Sequence, residues 1–333
     1  MTGVEGWKVG QGFPESAPLH RQLAWFGGAL LAACMVVELL PRTDGERYRA
    51  KPAARRPAAR GMPEPTDTML LERDLRLALE LELEQFELMY QPIFDIKTGI
   101  PVAVEALLRW RHPARGLVPP SVFVPLAERL GLIEKLGRWV MHTACTEAAT
   151  WATPVRLAIN LSPAQFSRGD LEHQVIETLH RSGFASDRLD LEVTEGVLLE
   201  HSQPVLASIL SLRTLGVRLA LDEFGQPGAS LGHLRDFAFQ QIKIGRSFVA
   251  SMLTDPGAMA TVRRVLALAA DMQLDVVALG VETQAQLDLL THLGCAQVQG
   301  TLLGAPLSPE RTREYLWQVI RRSDGGSVAL GMD

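Results

Sequence analysis

The stretch Val217-Arg218-Leu219-Ala220-Leu221-Asp222-Glu223 decides the fold class, because an apolar, strand-like run ends abruptly in two acidic residues. Similar runs recur along the chain, and most of them end in a carboxylate, an amide or a lysine. The pattern predicts eight strands, at residues 87–95, 102–110, 156–160, 188–192, 217–222, 241–244, 276–281 and 296–299.

Amphipathic segments between most of these strands predict helices, among them 133–151, 163–182, 203–215, 259–272 and 284–293. Eight strands with helical crossovers in roughly 250 residues are typical of a closed parallel (β/α)₈ barrel. An open doubly wound sheet is the alternative, but its glycine-rich phosphate loop after the first strand is absent from the sequence. The sequence therefore predicts an α/β, TIM-like barrel.

The polar residues at the strand ends form the candidate site. Each taken singly is more simply read as a cap, a turn former or a solvated chain. In a barrel, however, all C-terminal strand ends meet at one mouth, and so many carboxylates there would repel one another without cations. Oxygen ligands suit Mg²⁺ or Mn²⁺, which suit phosphoester chemistry. The residues are Glu105, Asn160, Glu192, Asp222, Glu223, Lys243, Glu282 and Gln299.

The bulk composition narrows the class of ligand. The 333-residue chain carries a net charge of −5, so we expect no nucleic-acid polymer as partner, and an anionic ligand must be held by local cations or metals. Three widely separated cysteines give no zinc spacing and fit a reducing compartment.

The N-terminal 66 residues are expected to be poorly structured, with a basic linker rich in proline, alanine and arginine before a domain at 67–322 and a flexible tail at 323–333. Residues 23–37 form a short apolar run that admits three interpretations: a marginal membrane anchor extending to residue 40, part of a packed or lost helix, or a lipoprotein signal ending at Cys34. Basic residues after the run would place the domain in the cytoplasm or on the cytoplasmic face of the inner membrane.

Several motifs occur in a fixed order: Tyr90-Gln91-Pro92-Ile93, Glu105-Ala106-Leu107-Leu108-Arg109-Trp110, Ile159-Asn160-Leu161-Ser162-Pro163, Glu192-Val193-Thr194-Glu195, Asp222-Glu223-Phe224-Gly225, Lys243-Ile244, Gly280-Val281-Glu282-Thr283 and Gln299-Gly300. Through them the chain, from about Leu71 to Leu316, resembles the EAL domain family of cyclic di-GMP phosphodiesterases and receptors.

The resemblance implies roles for these residues. One metal ion would be held by Glu105, Asn160, Glu192 and Asp222, and a second by Asp222, Glu223 and Glu282. Lys243 and Gln299 would position the attacking water, Glu195 would steady the loop after residue 222, and Gln91 and Arg109 would contact the ligand. The resemblance further implies Mg²⁺ or Mn²⁺ as cofactor, inhibition by Ca²⁺, hydrolysis of cyclic di-GMP to 5′-pGpG, and a homodimer as a candidate assembly.

The sequence also departs from the family pattern around the second metal. Glu223 replaces an aspartate, Gly245 replaces an aspartate, Leu279 replaces a glutamate, and Thr301 and Leu303 replace aromatic residues. The loop at 226–230 is unusual and contains Pro227, whose ring excludes positive φ.

Three functions therefore stay open: a metal-dependent phosphodiesterase impaired by a degenerate second site, a catalytically silent receptor for cyclic di-GMP, and a protein-interaction module. Residues 44–51 resemble the last helix of a GGDEF domain, so a remnant of such a domain and chance similarity in a basic linker are both open.

Overall fold

The computed structural model of the protein describes residues 65–81, 83–166, 170–199, 203–225, 237 and 239–323. The strands are β1 Phe86–Asp95, β2 Pro101–His112, β3 Gly116–Val118, β4 Arg156–Leu161, β5 Leu189–Thr194, β6 Arg218–Phe224, β7 Gln241–Ile244, β8 Asp275–Leu279 and β9 Gln297–Gln299. The helices are α1 Pro65–Leu81, α2 Pro120–Arg129, α3 Ile133–Ala148, α4 Leu171–Ser182, α5 Glu195–Leu199, α6 Gln203–Thr214, α7 Arg246–Ser251, α8 Pro256–Met272, α9 Gln284–His292 and α10 Pro309–Ser323.

The sheet closes into the predicted barrel. Its order runs β1, β9, β8, β7, β6, β5, β4, β2, and β1 pairs again with β2, so eight strands complete the ring while β3 extends β2 outside it. The closed α/β barrel is confirmed.

One strand runs against the parallel arrangement that the sequence analysis predicted. β1 is antiparallel to both of its neighbours, β2 and β9. A short turn at 96–100 joins β1 directly to β2, and parallel strands need a longer crossover, usually a helix. The remaining neighbours in the ring, from β2 through β4 to β9, pair in parallel.

The predicted helix at 163–182 is interrupted. A 3₁₀ turn, Pro163–Gln165, follows Ser162, whose side chain accepts a hydrogen bond from the Ala164 amide. α4 then begins at Leu171 and ends at Ser182, and the capping residue Gly183 has φ 69°. Because glycine adopts this left-handed conformation at little cost, it terminates the helix where the sequence predicts.

The described residues form three buried apolar clusters. The largest lies between the strands and the surrounding helices. The second contains Leu75 and Leu79 of α1 together with Trp110 and Phe123, so the first helix packs against β2 and α2. The third consists of Ile93, Ala103 and Val277, from β1, β2 and β8.

Several predictions fall on residues outside those described: the linker and apolar run within 1–64, the GGDEF-like segment, the loop at 226–230, and the tail from 324. Within the described ranges, no helix combines the length and the apolar character needed to cross a membrane.

Candidate functional site

Lys243 is the centre of the candidate site. It lies on β7 with no exposed surface, and its Nζ donates to both carboxylate oxygens of Glu192 at 2.6 Å and to Glu105 Oε2 at 2.9 Å. Asp222 Oδ1 lies 3.8 Å from the same nitrogen. β7 therefore places one ammonium group among carboxylates that come from β2, β5 and β6.

Glu105 joins the network to its remaining members. Its Oε1 accepts from Asn160 Nδ2 at 2.7 Å, and its Oε2 accepts from Gln299 Nε2 at 2.9 Å. Six of the polar residues predicted from sequence thus lie together: Glu105, Asn160, Glu192, Asp222, Lys243 and Gln299. They come from β2, β4, β5, β6, β7 and β9, which shows that closure of the barrel creates the cluster.

The network is charged and buried, and its pKa values respond to both conditions. Burial alone would lower the pKa of Lys243, but Asp222, Glu105 and Glu192 raise it well above its usual value. Burial, followed by the charge of Glu105, raises the pKa of Glu192 well above its ordinary range. Burial opposes ionisation of Glu105, yet Lys243 and three hydrogen bonds lower its pKa overall. The charged forms of Lys243 and Glu105 are therefore both favoured by their surroundings.

Asp222 and Glu223 lie where β6 departs from regular pairing with β7. Asp222 Oδ1 accepts from the Glu223 amide at 2.9 Å, and Glu223 adopts φ 51°, a conformation uncommon for residues other than glycine. Burial and then the charge of Asp222 raise the pKa of Glu223 to about 7. The irregularity therefore puts two acidic residues side by side in a half-buried setting.

Glu282 lies apart from Lys243 and pairs with another cation. Its carboxylate accepts from the guanidinium of Arg246, the first residue of α7. Its backbone amide donates to Gln286 Oε1 at 2.8 Å, and Gln286 Nε2 donates to the Val249 carbonyl at 3.3 Å. The side chain of Glu282 thus pairs with α7, while its backbone amide bonds to Gln286 of α9, and neither bond involves the network around Lys243.

The remaining predicted residues surround the network. Gln91 is opposite Glu105 in the β1–β2 pair, and its Nε2 donates to the Gly304 carbonyl at 3.0 Å. Arg109 Nη1 donates to the Leu108 carbonyl at 2.9 Å, and burial lowers the Arg109 pKa. Glu195 Oε1 accepts from the Gly225 amide at 3.1 Å, at the start of the loop that follows β6.

Gly245 has room for a larger side chain. It directly precedes α7, and a Cβ built there would lie 3.6 Å from the nearest heavy atom, the Glu223 carbonyl oxygen. That is an ordinary van der Waals distance, so the backbone accommodates an acid beside Glu223. Position 245 therefore lacks a carboxylate because the sequence has glycine there, and not because the structure leaves no space for a side chain.

The donor set suits a hard cation in chemistry, since carboxylate and amide oxygens are the ligands that Mg²⁺ and Mn²⁺ prefer. When all are ionised, the four carboxylates of the site carry more negative charge than the single positive charge of Lys243 can balance. These carboxylates belong to Glu105, Glu192, Asp222 and Glu223. Yet among the described residues, no three His, Cys, Asp or Glu side chains are placed as a ready metal-binding group. The carboxylates of Glu105 and Glu192 instead form ion pairs with Lys243, and the carboxylate of Glu282 forms an ion pair with Arg246.

Sequence reasoning missed Arg246 and Gln286. Arg246 follows Gly245 in the chain, and a lone arginine at the start of a short helix carries no recognisable signal. Gln286 did have one, because Thr283 and Gln286 form a capping box at the start of α9.

Comparisons with known proteins agree with the motifs. The sequence profile described as "EAL domain" matches residues 72–306. An uncharacterised signalling protein of Caulobacter vibrioides is 41% identical over 270 residues, 80% of this chain and 33% of the relative. The bifunctional diguanylate cyclase/cyclic di-GMP phosphodiesterase MucR of Pseudomonas aeruginosa is 38% identical over 74% of this chain and 36% of the relative.

Solved structures share the fold. The structure described as PaMucR phosphodiesterase in complex with c-di-GMP superposes with a TM-score of 0.70 at 38% identity, covering 73% of this chain and 99% of that one. The chain spans about a third of the length of the curated relatives named above.

Proposed function

The chain belongs to the EAL domain family, and from this premise we propose that it is a metal-dependent phosphodiesterase that hydrolyses cyclic di-GMP to 5′-pGpG. The observation that carries the proposal is the convergence of five residues in one hydrogen-bonded network at the barrel mouth, in which Asn160 is exposed and the other four are buried: Glu105, Asn160, Glu192, Lys243 and Gln299. The solved relative with cyclic di-GMP bound supports the identity of the ligand.

The predicted site residues include the groups that the reaction would use, although Glu282 lies outside the network around Lys243. One metal ion would be held by Glu105, Asn160, Glu192 and Asp222, and the second by Asp222, Glu223 and Glu282. Divalent cations bound there would neutralise the phosphodiester and lower the pKa of the attacking water.

The chain's own groups orient the reactants. Lys243 and Gln299, fixed by Glu105, would hold the water in line with the scissile bond. Gln91 and Arg109 would hold the nucleotide, since a guanidinium forks onto phosphate oxygens. Attack by water at phosphorus forms a new P–O bond and breaks the bond from phosphorus to the bridging 3′ oxygen, which opens the ring. The attacking water gives up a proton, and the leaving 3′ alkoxide takes up a proton to become a hydroxyl.

A silent receptor for cyclic di-GMP is the second candidate, and Gly245 is the observation that favours it. The absence of a carboxylate beside Glu223, together with the pairing of Glu282 to Arg246, weakens the second metal site while leaving Glu105 and its partners intact. Such a protein would bind the nucleotide without turning it over.

One experiment separates the candidates. The purified full chain is incubated with cyclic di-GMP and Mg²⁺ or Mn²⁺, 5′-pGpG is quantified by chromatography, and nucleotide binding is measured in Ca²⁺. We expect turnover that disappears in Glu105→Gln, which keeps the shape but removes the charge. Glu314→Gln, an exposed glutamate on α10, is the control and should retain full turnover.

The outcomes are distinct. Binding without turnover identifies the receptor, and Gly245→Asp combined with Glu223→Asp should then restore turnover, because a Cβ fits at position 245. Loss of both binding and turnover contradicts the proposal and leaves a protein-interaction module.

A further inference from the structure

The turn that follows β9 is joined to β1 by a side chain of the candidate site. Gln91 Nε2 donates to the Gly304 carbonyl at 3.0 Å. The Gly304 amide donates in turn to the Gly300 carbonyl at 3.0 Å, so residues 300–304 form one closed turn. Gly300 directly follows Gln299, which β9 contributes to the network. Gln91 therefore holds the far end of a turn whose near end carries Gln299.

These contacts close a ring through Glu105. Gln91 lies directly opposite Glu105 in the antiparallel pair of β1 and β2, so both side chains lie on the same face of the sheet. Glu105 Oε2 accepts from Gln299 Nε2 at 2.9 Å. From Glu105 the ring runs through Gln299, the turn and Gln91, and it returns to Glu105 across the strand pair. Both glutamine amides are donors in this ring, so the loss of either one opens it.

The backbone of the turn is closely packed at both ends. A Cβ added to Gly300 would lie 2.0 Å from the Val281 carbonyl oxygen, and one added to Gly304 would lie 2.8 Å from Pro92 Cγ. Closely packed parts of a protein transmit displacements because they have no free space to absorb them. A shift of Gly304 is therefore passed along the turn to Gln299.

We propose that Gln91 is a positioning residue, in addition to the ligand contact that the family resemblance implies for it. Through the turn it keeps Gln299 Nε2 on Glu105, where the Gln299 side chain can orient the attacking water. Gln299 has only 4% of its surface exposed, so contacts within the protein and not solvent determine its orientation. The inference rests on the proposed function, because it concerns the water-orienting role of Gln299.

The first measurement reads the position of Gln299 without any ligand. The full chain is produced with isotope-labelled glutamine, and exchange of the Gln299 side-chain amide protons with solvent is followed by NMR. Gln91→Met keeps the length of the side chain but removes the donor, and it should accelerate this exchange roughly two- to ten-fold, the equivalent of losing one hydrogen bond. Gln91→Asn is a milder change whose amide is one methylene shorter, and it should accelerate the exchange in the same direction.

The second measurement separates positioning from ligand contact. Turnover of cyclic di-GMP is compared in Gln91→Met, Gln299→Met and the double variant. Gln91→Met should lower kcat roughly two- to ten-fold in the wild-type background. It should not lower kcat further in the Gln299→Met background, since the residue through which it acts is gone. A direct contact of Gln91 with the nucleotide would instead raise KM in both backgrounds.

Gln284→Met is the matched control. It removes another glutamine side-chain hydrogen bond, the exposed one from Gln284 Nε2 to Asp288 on α9. This variant should change neither kcat nor the exchange of the Gln299 side-chain amide.

The inference is overturned if the exchange of Gln299 is the same in the wild type and Gln91→Met, or if Gln91→Met lowers kcat equally with and without Gln299. Failure of the inference and failure of the proposed function are distinguishable. Turnover by the wild-type chain, with Gln299 exchange unchanged in Gln91→Met, would overturn the inference alone. Faster exchange in Gln91→Met, with a wild-type chain that neither binds nor hydrolyses the nucleotide, would support the positioning of Gln299 and contradict the proposed function.

Discussion

Replacing Lys243 with methionine should destabilise the protein strongly and in a pH-dependent way. The lysine has no exposed surface, and its Nζ is the shared partner of Glu105 and Glu192, with Asp222 close by. Methionine matches the length of the aliphatic stem but cannot pair with the carboxylates. They would be left buried without their cation.

The magnitude follows from the burial. Removing one partner of a buried ion pair typically costs about 3–5 kcal/mol. For a domain of this size the loss corresponds to a fall in Tm on the order of 10 °C, at about 2–4 °C per kcal/mol. Burial and the charge of Glu105 already raise the pKa of Glu192, and loss of the lysine would raise it further. A carboxyl group whose pKa is higher in the folded state contributes stability that is present below its unfolded pKa and is lost as pH rises through its folded pKa.

The free energy of unfolding is measured by urea denaturation at pH 5.5 and pH 8 in the absence of divalent cations. The loss in Lys243→Met should be larger at pH 8. Lys135→Met, at an exposed position on α3, is the control and should change stability by less than about 0.5 kcal/mol at both pH values. A loss below about 1 kcal/mol in Lys243→Met, or one equal at the two pH values, would refute the argument from the buried network.

Three further predictions concern the mouth. Gly300→Ala should lower the free energy of unfolding by more than about 2 kcal/mol, since the added Cβ would lie 2.0 Å from the Val281 carbonyl oxygen. Gly245→Ala should change the same free energy by less than about 0.5 kcal/mol, and urea denaturation measures both variants. The metal-free protein should lose stability as pH rises through about 7, because the pKa of Glu223 is higher in the folded than in the unfolded state and Glu223 ionises there. The measurement is the Tm at pH 6 and pH 8, and an equal fall in Tm in Glu223→Gln would contradict the prediction. Addition of Mn²⁺ at pH 8 should raise the Tm of the wild-type chain and much less that of Glu105→Gln, since a cation that binds only the folded state stabilises it.

The sequence was sufficient to predict the fold class because the hydrophobic pattern is local. Apolar runs that alternate with amphipathic segments predict the strands and helices of an α/β barrel, and the structure has them. The direction of β1 did not follow from that pattern, because strand direction depends on the connection at 96–100 and not on the strand itself. The break between Pro163–Gln165 and α4 was missed because both parts carry helix-like residues.

The sequence by itself also predicted six residues that lie together in the structure, because the carboxyl ends of parallel strands meet on one face of the barrel. Only the tertiary structure decided how those groups pair. Lys243 contacts Glu105 and Glu192, which lie 138 and 51 residues away in the chain, while Glu282 pairs with Arg246. Partner choice among charges depends on distances of a few ångströms and on burial, and both arise only when the ring of strands is closed.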